Sequence, residues 1–200
     1  MAIPSNYRWV VVGNLAVRNR KNAPHYAPAF FLADLLQAIT ARIADLSAFR
    51  SYGKSSRLMW CSKIAEDADF VRLIIEVGDK NVTGVSFLHF ETRQTRDIEK
   101  ADEEGGHYAA HVLIRKATDH LGRHLILIEK VPGVHISSIK EHFAWMCNDP
   151  AFEKEAMDDD GNPKNFRAIF EIDGHQSKTI REALQTGALQ DIEFVSHEEN

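Results

Sequence analysis

The sequence predicts an α+β fold: a mixed, mainly antiparallel sheet with a long N-terminal helix and two shorter helices packed on it. Three observations carry this expectation. Apolar residues recur at helical spacing from Ala29 to Leu46. From Leu58 to Ile128 the period changes to two. The strand candidates are joined mostly by hairpin-scale connections, which argues against a doubly wound parallel sheet.

The elements follow in order. Tyr7 to Val17, rich in Val, Tyr and Trp, reads as a first strand. Pro24 and Pro28 then interrupt a polar loop. In the helix predicted over 29–46, Phe31, Leu32, Leu35, Leu36, Ile39, Ile43 and Leu46 form the apolar side, and five alanines add intrinsic propensity. Leu58–Ile64 and Phe70–Val77 read as strands, and Asp79-Lys80-Asn81 as a hairpin turn into a central strand over Val82–Phe90. Tyr108–Arg115 and His124–Val131 form the next strand pair. Val131-Pro132-Gly133 ends it, and Ser138 with Glu141 three residues later predicts a capping box at the start of a short helix. Phe166–Ile172 alternates as a strand, 179–184 reads as a third helix, and Ile192–Val195 as a last strand. The domain expectation is a main α+β unit over 1–148, an acidic loop over 149–165 and a strand-helix-strand appendage over 166–200, which a single continuous sheet could equally absorb.

Two hundred residues, 44% of them hydrophobic and 26% charged, suit a globular chain with one substantial core. No apolar run approaches the roughly 20 residues of a membrane span, and no signal-peptide pattern opens the chain. Cys61 and Cys147 sit far apart in apolar patterns, so buried free thiols and a cytoplasmic location are expected.

The net charge of −5 hides an asymmetry. Residues 1–63 carry nine Lys/Arg against Asp34 and Asp45, a balance of +7, which leaves −12 for the remainder. A basic end can face nucleic acid; it can also pair with an acidic surface within the fold or across a dimer. The basic residues gather in two loops, Arg18, Arg20 and Lys21 after the first strand, and Arg50, Lys54 and Arg57 around Tyr52. Loop cations with an interleaved aromatic suit phosphate contact and base stacking, so these seven residues are the expected DNA or RNA contacts.

Catalytic and metal patterns are weaker. His107 and His111 are four apart in a predicted strand, where they stand about 13 Å apart. His120 and His124 could approach each other, but no third ligand accompanies them. The acidic stretch around Asp158 lacks the calcium-loop spacing, because Ala156 and Arg167 occupy ligand positions. Glu171, Asp173 and His175 are the best acid–base constellation, for which a polar outer strand face is the competing explanation. No cofactor and no metal are expected, and an enzyme is not the first choice.

The residues Asp97-Ile98, Asp102-Glu103 and Gly105-Gly106, the strand Tyr108–Ile114, the turn, strand and helix to Phe143, and the earlier FFLADLL segment resemble the RexA phage-exclusion family. That resemblance implies a defence protein that binds DNA and self-associates, and it transfers no individual binding residue. The expected function is therefore a non-enzymatic, homodimeric nucleic-acid-binding, phage-defence-associated module. The alternatives are a protein-interaction domain docking a basic partner through its acidic surface, and a metal-dependent hydrolase or nuclease.

Overall fold

In the computed structural model, residues 8–20, 23–24, 26–43, 45, 49–82, 86–88, 91–97, 101–102, 104–158 and 160–174 are described. Seven strands make one antiparallel sheet that curls into a half-barrel. They are β1 (Val10–Asn19), β2 (Arg50–Tyr52), β3 (Arg57–Glu66), β4 (Phe70–Asp79), β7 (Gly106–Thr118), β8 (His124–Glu129) and β11 (Ala168–Gly174). Their order is β11-β1-β8-β7-β4-β3-β2. Two small hairpins lie outside it: β5 (Ser86–Leu88) with β6 (Thr95–Asp97), and β9 (Lys154–Met157) with β10 (Pro163–Phe166).

The alternation in sequence decides the faces. Val71, Leu73, Ile75 and Val77 on β4, Ala110, Val112 and Ile114 on β7, and Ile126 and Ile128 on β8 point to one side and are buried. Helices α1 (Leu32–Ile43) and α2 (Ile136–Met146) pack on that side, supplying Leu35, Ile39, Ile139, Phe143 and Met146 to the core. No helix among the described residues covers the opposite face. None of them is long and apolar enough to cross a membrane.

The fold is therefore much richer in strand than the sequence suggested, at 47% strand to 18% helix, and it lacks the long N-terminal helix. Helix α1 has 12 residues and begins at Leu32. Residues 29–31 are held non-helical by tertiary contacts: Lys154 Nζ donates to the Ala29 carbonyl at 2.7 Å, and Phe30 N–H donates to Asn19 Oδ1 at 3.2 Å. Asp34 then accepts the Phe31 N–H at 2.7 Å, one half of a capping box at the true N-terminus. The capping box expected at Ser138 is not formed either. Helix α2 starts three residues earlier, after His135 in extended conformation and without a side-chain cap, and Glu141 accepts from Arg50 instead.

Two strand expectations also change. β4 pairs with β3 and β7, and of the expected central strand over 82–90 the described residues contain β5, which pairs with β6 outside the main sheet. Within the acidic loop, a 3-10 turn at Pro150–Phe152 leads into the β9–β10 hairpin. β11 pairs with β1 in the main sheet. The expected third helix and last strand lie outside the described residues. Gly105, at the entry to β7, has a packing role: a Cβ there would stand 2.8 Å from the Asp79 carbonyl carbon and oxygen.

Candidate nucleic-acid interface

The sheet separates the two basic clusters. Four strands lie between β1 and β2, about 24 Å at some 4.8 Å per step. The clusters also sit at opposite strand ends. Val11, Ile128, Val112, Leu73 and Ile64 share one row, from which Arg18 lies seven residues toward one end and Arg57 seven toward the other. Lys21 is outside the described residues.

Most of these cations are already engaged. Arg18 stands 3.7 Å from Glu171, Arg50 2.5 Å from Glu141, and Arg57 2.7 Å from Asp79. The Arg50 guanidinium lies over the Tyr52 ring at 5.6 Å, and the Tyr52 hydroxyl is buried, which pushes its pKa up. The ring therefore does not present a free stacking face. Arg20 remains exposed. Lys54 is exposed in the β2–β3 turn, where Gly53, Lys54 and Ser55 all have left-handed φ values of 55° to 66°. That conformation is costly for the two residues that carry a Cβ.

Acidic side chains take similar local roles. Burial alone would raise the pKa of Asp79, but the Asn81 N–H and Arg57 donate to its carboxylate and hold it below the usual range. Asp119 is drawn to about 2 by the Arg123 N–H and guanidinium, and Asp158 to about 2 by Lys164 and the Asn162 N–H. This Asp158 network closes a polar turn. Lowered folded-state values mean that these groups stabilise the fold above about pH 4, the unfolded carboxyl range. That contribution disappears as pH falls toward 2. The thermal midpoint should fall between pH 5 and pH 2, and Asp158→Asn should flatten the fall; an identical profile in the variant would refute the assignment.

Glu171 and Asp173 share one face of β11 opposite Ala16 and Asn14, with Glu171 turned to Arg18. His175 lies outside the described residues, so the three-residue constellation is not assembled among them. The strand histidines have individual partners: His107 Nε2 lies 2.6 Å from Glu76, His111 Nδ1 lies 2.7 Å from Glu129, and His124 Nδ1 lies 3.0 Å from the Arg115 carbonyl. Among the described residues, no three His, Cys, Asp or Glu side chains gather as a metal site. Both cysteines are buried free thiols, pushed up by burial to about 11 at Cys61 and about 12 at Cys147.

The uncovered face holds a different set of residues. Trp60, Glu76 and Ala109 share one row across β3, β4 and β7, and Lys63, Ile74 and His111 share another. Trp60 and Lys63 are three apart and would point oppositely in a regular strand. The register shift between Cys61 and Lys63 inserts one extra residue, so both project to the uncovered side. The Trp60 and His107 rings stack at 6.0 Å, 17° from parallel. Arg115, opposite Phe70, and Lys63 are exposed, and neither makes an ion pair among the described residues. Of the carboxylates on this face, Glu76 is occupied by His107, Glu129 by His111 and Arg8, and Glu171 by Arg18, and exposed Asp173 stands two residues from Glu171 on the same side of β11. Half-buried Ile74, Leu113, Leu125, Leu127 and Val12 lie between these polar groups.

Sequence reasoning did not find this face, because the bulge that aligns Trp60 with Lys63 has no glycine or proline to announce it. The alternation of β7, with His107, His111 and Arg115 on one side, was its only visible signal. No protein-family model, curated protein or solved structure matches the chain.

Proposed function

We propose that the chain is a cytoplasmic, non-enzymatic module that binds single-stranded nucleic acid across the uncovered sheet face. The observation carrying this reading is the Trp60–His107 stack on the same face as the exposed cations Lys63 and Arg115, which make no ion pair among the described residues. A sheet that offers aromatic rings to unstacked bases, with flexible cations beside them for phosphates, is a recurrent solution for single strands. The buried free thiols fit a reducing compartment. The resemblance of 97–143 to RexA-type proteins is what supports a role in phage defence, with phage nucleic acid as ligand.

Fluorescence anisotropy with labelled oligouridine and oligothymidine tests this. The double variant Lys63→Glu/Arg115→Glu should bind about tenfold more weakly or worse, and its log K against log salt slope should be shallower by about 1.4, for two lost phosphate contacts. Arg18→Glu/Arg20→Glu should bind as the parent does. Parent-like binding by the first variant, or no binding by the parent at low salt, would overturn the reading.

A second reading, self-association, is favoured by the half-buried aliphatic residues on the same face, because a homodimer would cover them. Sedimentation equilibrium decides it: a concentration-independent monomer mass removes the dimer.

A further inference from the structure

The ring pair on the uncovered face has a carboxylate built into it, and that placement bears on which bases the face takes. Trp60 lies directly opposite Glu76, and Gly78, two residues on, lies opposite His107. Directly opposite side chains on one face start about 5 Å apart. Because Gly78 carries no side chain, the Trp60 ring crosses over it: a Cβ at that position would meet Trp60 Cζ3 at 4.0 Å. The ring edge thereby reaches His107, with ring centroids 6.0 Å apart and planes 17° from parallel. His107 Nε2 stands 2.6 Å from Glu76 Oε2, which closes the triangle. Trp60, Glu76 and His107 thus meet at one place on the sheet, where the Glu76 side chain is 20% exposed and that of His107 59%.

The hydrogen-bonding character of this place is one-sided. An ionised carboxylate only accepts, so the proton between His107 and Glu76 sits on Nε2 and is donated to Oε2. Oε1 of Glu76 has no partner among the described residues. The cations of the face stand to one side of it. Lys63 lies in the adjacent row, about 7 Å along the strands, and Arg115 lies two rows beyond that, in the row of Phe70. A carboxylate repels phosphate, whereas Lys63 and Arg115 attract it. A single strand laid on the Trp60 ring is therefore turned with its phosphates toward the Lys63 and Arg115 rows and a base edge toward Glu76.

We propose, resting on the nucleic-acid reading of this face, that Glu76 is its specificity-determining residue and selects a stacked base that presents amine hydrogens, guanine first. The Watson–Crick edge of guanine offers N1–H and the N2 amine side by side, two donors that one carboxylate accepts together. Cytosine and adenine each offer a single exocyclic amine beside a ring acceptor. Uracil and thymine present N3–H between two carbonyl oxygens, which a carboxylate repels. His107 is a positioning residue: its Nε2–H holds Oε2 in place and leaves Oε1, with the remaining lone pair of Oε2, for the base. A site built to accept from a donor discriminates against a base that lacks it.

Competition anisotropy on the full chain tests this with three probes: oligouridine, the same oligomer carrying one guanosine, and one carrying inosine in its place. Inosine keeps N1–H and lacks the N2 amine. The parent should bind the guanosine oligomer about tenfold more tightly than oligouridine, with the inosine oligomer between them. Glu76→Gln keeps the shape of the side chain and an oxygen for His107, but turns an amide NH2 to the base. Its preference for guanosine should vanish or invert. Its binding of oligouridine should tighten, because a charge that repels phosphate is gone. A merely structural role for Glu76 would weaken all three probes alike. Equal binding of oligouridine and the guanosine oligomer by the parent, or a preference kept in Glu76→Gln, would overturn base selection and leave the outer-face reading standing. A parent that binds none of the three removes both.

Discussion

Trp60→Ala should weaken oligonucleotide binding by about 10- to 100-fold, because loss of one stacking platform for a base costs about 1–3 kcal/mol. Trp60 is half-buried, and its exposed ring lies against His107 rather than in the core. Its removal should therefore leave folding largely intact, which a parent-like circular dichroism spectrum would establish. Trp60→Phe should recover most of the affinity while keeping the salt slope of the parent. Phosphate contacts through Lys63 and Arg115 are untouched in both variants. An alanine variant that binds as the parent does would remove stacking from the mechanism and leave only electrostatics.

The second large effect is on stability. Phe143→Ala should cost about 3–5 kcal/mol, measured as a lowered urea midpoint with unchanged slope. Phe143 has no exposed surface and meets Phe170 edge-on, centroids 6.1 Å apart and planes 72° apart. Phe170 belongs to β11, the edge strand separated by β1 from β8, so this pair ties α2 to an edge other than the strand that precedes the helix. A cost under about 1 kcal/mol would mean that α2 docks independently of that edge.

The fate of the basic residues shows why composition misled. Arg50 and Glu141 are separated by 91 positions, and Lys154 and Asp34 by 120, yet each pair is in contact. The charge asymmetry along the chain is offset across the fold, because later acids sit beside earlier cations at Arg8–Glu129, Arg18–Glu171, Arg42–Asp149, Arg50–Glu141 and Arg57–Asp79. Exposed pairs of this kind contribute little stability individually. They do remove Arg18, Arg50 and Arg57 from the set of free phosphate ligands, while Lys63, which was not among the expected contacts, and Arg115, within a strand read as scaffold, make no ion pair among the described residues.

Sequence alone determined what local periodicity can encode. The two-residue alternation placed Val71, Leu73, Ile75 and Val77 on one face, which is buried, and the spacing of Ile139, Phe143 and Met146 placed one side of α2 in the core. It also placed His107 and His111 too far apart along a strand to share a metal. Tertiary structure decided everything that depends on partners distant in the chain. Those features are the pairing of β4 with β7, the shortened start of α1 held by Lys154 and Asn19, the bulge that puts Lys63 on the same face as Trp60, and the contact of Arg50 with Glu141. The physical reason is one of range. A side chain's face follows from backbone geometry over a few residues, whereas its hydrogen-bond and ion-pair partners are fixed only when the sheet and helices close around it.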